Sequence, residues 1–169
     1  MRREEIAVLS KQTAVSSEFL AEIGRITVHF AILERDLTEL THGLLGLPER
    51  AARTITSELS FRGLQNLVAS LVKEKHPAMA SQFKDLLKLI ASCEAKRNQI
   101  SHSLWGAALT QGKDKRKVVR TKYSAKQQRG LMFQREEMTV EDLWAIASEI
   151  SIAAFEVESF HGSIRRNDV

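Results

Sequence analysis

One cysteine, two prolines, eight glycines and a single tyrosine are all that this 169-residue chain carries of those types, and each scarcity excludes something. Cys93 is alone, so no intramolecular disulfide is possible, and no Cys/His cluster has zinc-like spacing. So little proline and glycine leaves scant material for linkers, and no repeat or low-complexity tract occurs. No phosphate-binding Gly-rich loop or Ser/His/Asp order appears either. The opening Met1-Arg2-Arg3-Glu4-Glu5 is followed by a short apolar patch and then Lys11 and Gln12, too brief for a signal-peptide core or a membrane span. A cytoplasmic protein, neither secreted nor membrane-embedded and without metal or cofactor, is expected.

What is present suits one globular domain over residues 1–169. The chain is 43% hydrophobic and 27% charged, and its length buries roughly two-thirds of the unfolded surface in a single core. The net charge of +4 is unevenly spread. Between Gly112 and Arg135 stand Lys113, Lys115, Arg116, Lys117, Arg120, Lys122, Lys126, Arg129 and Arg135 against the one acid Asp114. That segment therefore carries +8, leaving −4 for the rest. Positive charge gathered on one element of an acidic body is the footprint of a polyanion partner.

The hydrophobic periodicity is helical over most of the chain. Phe19, Ile23, Ile26, Phe30, Leu33, Leu37, Leu40 and Leu44 recur three and four residues apart, predicting one long helix from Ser17 to Leu45, stopped by Gly43, Gly46 and Pro48. This stripe suits either an intramolecular bundle or a dimer, and with the Arg97 helix it is a candidate interface. A short helix or turn over 49–59 follows. Ser60 reads as the N-cap of a helix with Phe61, Leu64, Leu67, Val68, Leu71 and Val72 inward, ended by His76-Pro77. The next helix runs from about Ala78 to His102, and the last from Thr139 to about His161, with Thr139-x-x-Asp142 as a capping arrangement. Between them, 104–110, 118–124 and 131–135 are β-rich and separated by turns at 111–114 and 127–130. The expected fold is mainly α, a bundle of four to five helices with a β-hairpin of two or three strands inserted over 104–136.

Chemistry concentrates at the end of the Ala78 to His102 helix. With Phe83 at zero and 100° per residue, Leu86, Ile90 and Cys93 fall at about 280° to 340°, and Arg97 at about 320° lies among them. Glu94 and Ser101 flank that stripe. A guanidinium on an apolar face needs a partner. The plainer reading is an ion pair with Glu94 or an outward-turned side chain, and the functional one is a cleft or dimer groove where Arg97 grips a phosphate. His102, one turn beyond Asn98, meets a helix C-terminus that favours imidazolium, suiting a general acid. Its plainer role is to cap the last carbonyls. Asn98 is placed to hydrogen-bond the imidazole or the same ligand.

Arg97-Asn98-x-x-x-His102, late in a helix of a helical domain, resembles the signature of the HEPN superfamily, an arginine commonly followed by a polar residue with a histidine further along. Arg35 and His42 meet the same loose spacing. The Arg97 copy is favoured because Asn98 follows it, its face is apolar and the basic segment comes soon after, whereas Arg35 and His42 read as a solvated helix face. The resemblance extends loosely over the long early helix, the motif helix and the last helix. It implies a metal-independent endoribonuclease that works as a homodimer with its site at the interface, a toxin or defence effector with an antitoxin partner. Arg97, Asn98 and His102 would be catalytic, with Glu94 and Ser101 supporting. In a subset of the family a tyrosine two residues beyond the histidine is modified by a nucleotidyltransferase antitoxin; here that position is Leu104, and the resemblance does not extend to that control.

RNA carries its own nucleophile, the 2′-OH, so cleavage asks for proton transfer and charge stabilisation. Lys113, Lys115, Arg116, Lys117, Arg120, Lys122, Lys126 and Arg129 are the expected RNA-backbone contacts, salt-sensitive and indifferent to sequence. Trp105 and Tyr123 have the chemistry to stack on bases. The plainer reading has Trp105 packing the hairpin onto the bundle and the lysines keeping its edge soluble.

Overall fold

The computed structural model describes residues 15–107, 117–126 and 130–167. Five helices and a three-stranded sheet follow one another as α1 (Ser17–Leu45), α2 (Glu49–Ser57), α3 (Phe61–Lys75), a 3-10 turn (Pro77–Met79), α4 (Ala80–Ser101), β1 (Leu104–Ala107), β2 (Lys117–Lys126), β3 (Gly130–Thr139) and α5 (Val140–Asn167). The mainly α architecture with a small sheet before the last helix is as expected.

The heptad-like stripe of α1 is spent inside the molecule. Phe19, Ile26, Phe30, Leu33, Leu37, Leu40 and Leu44 are all buried, packed in one cluster with Leu64, Val68 and Val72 of α3, Phe83, Ile90 and Cys93 of α4, and Leu143, Ile150 and Val157 of α5. The stripe is thus unavailable as a dimer seam, because three other helices already cover it. α1 stops where expected: Gly46 takes the left-handed conformation at φ 64° and donates its N–H to the His42 carbonyl. Gly43 is not part of that stop but a close-approach site, since a Cβ there would lie 2.9 Å from His161 Nε2 on α5.

Paired contacts give the helix directions. His29 Nδ1 lies 2.9 Å from the Ala147 carbonyl and Gly43 lies against His161, so α1 and α5 run parallel. Phe30 meets Phe61 at 4.8 Å while Lys75 reaches the Leu44 carbonyl, so α1 and α3 are parallel too. α4 runs against α5, with Phe83 on Phe160 and Lys96 paired to Glu149.

Local capping explains the boundaries. The Ser60 hydroxyl accepts the Gly63 N–H at 3.1 Å. Thr139 and Asp142 exchange hydrogen bonds of 3.1 and 2.8 Å, a capping box with aspartate in the usual glutamate place. α5 runs to Asn167 rather than stopping near His161, because Phe160 and Ile164 prolong its buried stripe across Gly162.

The sheet is antiparallel in the order β1-β2-β3. Register pairs Trp105 with Arg120 and Val118 with Met138. Val118 and Met138 join the helical core and Trp105 packs against it. The expected segments at 108–110 and 111–114, and the turn at 127–129, lie outside the described residues, as does the opening segment 1–14. No helix among the described residues is long and apolar enough to cross a membrane.

Candidate functional site at the end of α4

Phe83, Ile90, Cys93 and Ile100 bury one side of α4, and that side orients everything after it. Arg97 continues the stripe toward α1. Its guanidinium carbon sits 4.0 Å from the centroid of the Phe30 ring, which in turn tilts against Phe61. Such a cation–π contact contributes about 1 kcal/mol. The ion pair with Glu94 does not form, because the Glu94 carboxylate accepts instead from Gln65 Nε2 of α3 at 2.9 Å. Arg97 Nε is buried and has no hydrogen-bond partner among the described residues. A buried unsatisfied donor costs about 1 to 3 kcal/mol, so this arginine is held by an aromatic face without having its hydrogen-bonding capacity spent.

Asn98, the next residue, is half-buried and lines a groove of about 630 Å³ between α3 and α4 with Arg62, Gln65, Lys84, Lys88 and Glu94. His102 closes the helix: its N–H donates to the Asn98 carbonyl at 3.2 Å, and its side chain is exposed. No side-chain hydrogen bond between Asn98 and the imidazole is formed, and Ser101 is exposed. Five residues of helix turn Arg97 and His102 about 140° apart and separate them by about 7.5 Å along the axis. The two share one end of α4 but not one direction: Arg97 looks toward α1, Asn98 toward α3 and His102 to solvent.

The other Arg/His pair is committed elsewhere. Arg35 is exposed and ion-paired to Asp36 at 2.7 Å. His42 is half-buried rather than solvated, with Nε2 2.9 Å from the Thr56 hydroxyl of α2.

The sheet redistributes the basic segment. Alternation along β2 puts Arg120 on the bundle side with Val118, at 4% exposure. It pairs with Glu136 and donates to the Gln99 carbonyl and the Ser103 hydroxyl. Expected as a phosphate contact, Arg120 is instead an internal tie between the sheet and the end of α4. Lys117 pairs with Glu137 at 3.5 Å. Glu136 and Glu137 lie just past the segment counted as basic, and only strand register shows that they fold back onto it. Lys122 is half-buried, Arg135 is exposed, and Lys126 closes β2. Lys113, Lys115, Arg116 and Arg129 lie outside the described residues.

Trp105 follows its plainer reading: Nε1 donates to the Ile100 carbonyl at 3.2 Å and the ring packs on the core. Tyr123 is 56% exposed, and Leu104 and Phe133, neither of them expected as a contact, are more exposed still at 66% and 70%. Burial pushes the Cys93 thiol up to about 11, with Glu149 adding to it. Burial also lowers the His161 imidazole below its ordinary value, helped by Arg165. Among the described residues no group of three or more His, Cys, Asp or Glu converges as a metal site. Comparison with protein-family models, with curated proteins and with solved structures gives no match to this chain.

Proposed function

We propose that the chain is an endoribonuclease whose chemistry sits at the end of α4. The observation that carries this reading is Arg97: a guanidinium fixed over Phe30, with no carboxylate partner among the described residues and a buried Nε donor left unsatisfied. Such a group is oriented and chemically unspent, as a phosphate-binding arginine has to be. The uncommitted imidazole of His102 at the same helix end supplies proton transfer.

In this reading the 2′-oxygen of RNA attacks the adjacent phosphorus as a base removes its proton. The phosphorus–O5′ bond then breaks as an acid protonates the departing oxygen, leaving a cyclic 2′,3′-phosphate and a free 5′-hydroxyl. Arg97 neutralises the charge that grows on the phosphate, His102 moves a proton, and Asn98 orients the ligand. One chain supplies one such histidine, and a homodimer would supply both acid and base across its dyad. A cytoplasmic toxin or defence role, with an antitoxin partner, belongs to the same reading.

Cleavage of bulk RNA in the presence of EDTA tests it. The intact chain should cut, His102→Ala should lose roughly 100-fold or more of the rate, and Arg97→Ala a comparable factor, with RNA binding retained by the histidine variant. Binding without cleavage would favour the second reading, a non-catalytic module for RNA or a protein, which the exposed Tyr123, Phe133 and Arg135 of the sheet favour.

A further inference from the structure

The outward face of the sheet bears side chains that this chemistry leaves unused. Register sets Tyr123 directly opposite Phe133, and Leu104 opposite Thr121, which faces Arg135 in turn. Residues paired across strands, and those two apart along one, share a face. Leu104, Lys117, Val119, Thr121, Tyr123, Phe133, Arg135 and Glu137 therefore share one face, while Trp105, Val118, Arg120 and Met138 occupy the face turned to the helices. The aromatic end of the outward face is open to solvent, with Phe133 70%, Leu104 66% and Tyr123 56% exposed, whereas Thr121 is half-buried and Val119 buried. Arg135 is exposed and pairs with no carboxylate among the described residues.

We infer that this face is a stacking platform for the unpaired bases of single-stranded RNA, an inference that rests on RNA being the ligand, as proposed above. Cross-strand neighbours stand about 5 Å apart at Cβ, which sets the two rings side by side as supports for neighbouring bases. Every base has a π face, so such rings bind without regard to sequence. Charge decides between a polyanion and an apolar protein partner. Arg135 lies one pair along from Phe133, Glu137 further along the face is paired with Lys117, and residues 112–137, with Glu136 and Glu137 counted, still carry +6 in a chain of +4. Leu104 follows His102 by two residues, so the platform begins where the reactive end of α4 stops. A duplex keeps its base faces stacked inside and has no use for these rings.

Fluorescence anisotropy with a labelled oligouridylate, and with a blunt RNA duplex as the second probe, tests the assignment on the full chain carrying His102→Ala so that neither probe is cut. Tyr123→Ala and Phe133→Ala should each weaken oligouridylate binding about tenfold, Tyr123→Phe should retain it, and duplex binding should hold. Circular dichroism checks that these exposed truncations leave the fold intact. Unchanged oligouridylate binding, or an equal loss on the duplex, overturns the platform. So does self-association that the alanine variants abolish, since the face would then join two copies. The two readings fail separately: RNA cutting that is indifferent to both aromatics sinks the platform alone, whereas stacking-dependent binding without cutting sinks only the nuclease.

Discussion

Two arginines that enter apolar surroundings meet opposite fates, and the difference is measurable. Arg120 is 4% exposed, and its two terminal nitrogens bind Glu136, the Gln99 carbonyl and the Ser103 hydroxyl, while its Nε is buried without a partner among the described residues. Arg97 shares the unsatisfied Nε but has the Phe30 ring in place of a carboxylate among the described residues. Truncating Arg120 removes its pair with Glu136 on β3 and two hydrogen bonds that tie β2 to the end of α4, so Arg120→Ala should lower unfolding free energy by about 2 kcal/mol in urea titration. Arg120→Lys should recover only part, because an ammonium cannot reproduce the planar fork. Arg97→Ala removes an unsatisfied donor together with its ring contact, two effects of opposite sign, and should cost less than about 1 kcal/mol. A stabilising contribution from Arg97 as large as that of Arg120 would mark it as structural and weaken the phosphate reading.

At the scale of elements, α1 shows how far the local code reaches. Its glycines are chemically identical, yet those in and just after the helix do three different jobs. Gly24 lies on the exposed side, and a methyl group added there would meet nothing within 4 Å, so its flexibility serves no contact. Gly46 holds φ 64°, where a side chain is strained. Gly24→Ala should raise stability by about 0.5 to 1 kcal/mol through helix propensity, and Gly46→Ala should lower it by about 1 kcal/mol. Paired chemical denaturation curves would show opposite displacements of the midpoint, and displacements of the same sign would contradict this division of roles. Helices were readable because their caps and periods are local: Ser60, the Thr139 to Asp142 box and Gly46 each act within a turn of themselves. The sheet was readable only as β-rich segments. Which of its residues turn inward depends on register, and register is a relation between strands.

At the scale of the whole molecule, four helices and two strands share one core, and Cys93 sits at 0% exposure within it. The thiol ionises when the chain unfolds far more readily than when it is folded. Its folded value is raised from an ordinary 9.0 to about 11, chiefly by burial. A raised value means that the folded state holds the proton more tightly, so the full stability is present below pH 9 and is lost as pH climbs toward 11. Urea unfolding across that window should show a loss in the native chain that Cys93→Ala flattens, the difference between the two reporting the thiol alone. An identical slope in both would mean that the core admits the thiolate without unfolding. The same shared core explains why the Phe19 to Leu44 stripe, as suited to a partner chain as to a bundle on periodicity alone, is closed by α3, α4 and α5.

Sequence alone determined where the helices lie, most of their caps, the long apolar stripe of α1, the isolation of Cys93 and the placing of Arg97 on an apolar side of its helix. All of these rest on interactions within a turn or two, where order in the chain and proximity in space coincide. Tertiary structure decided the rest. That Glu94 turns to Gln65 and leaves Arg97 to Phe30, that Arg120 is swallowed while Tyr123 and Phe133 stay out, and that Glu136 and Glu137 temper the basic hairpin are all settled between residues distant along the chain. Each such choice compares partners from different elements, and no period or spacing along one element contains that comparison.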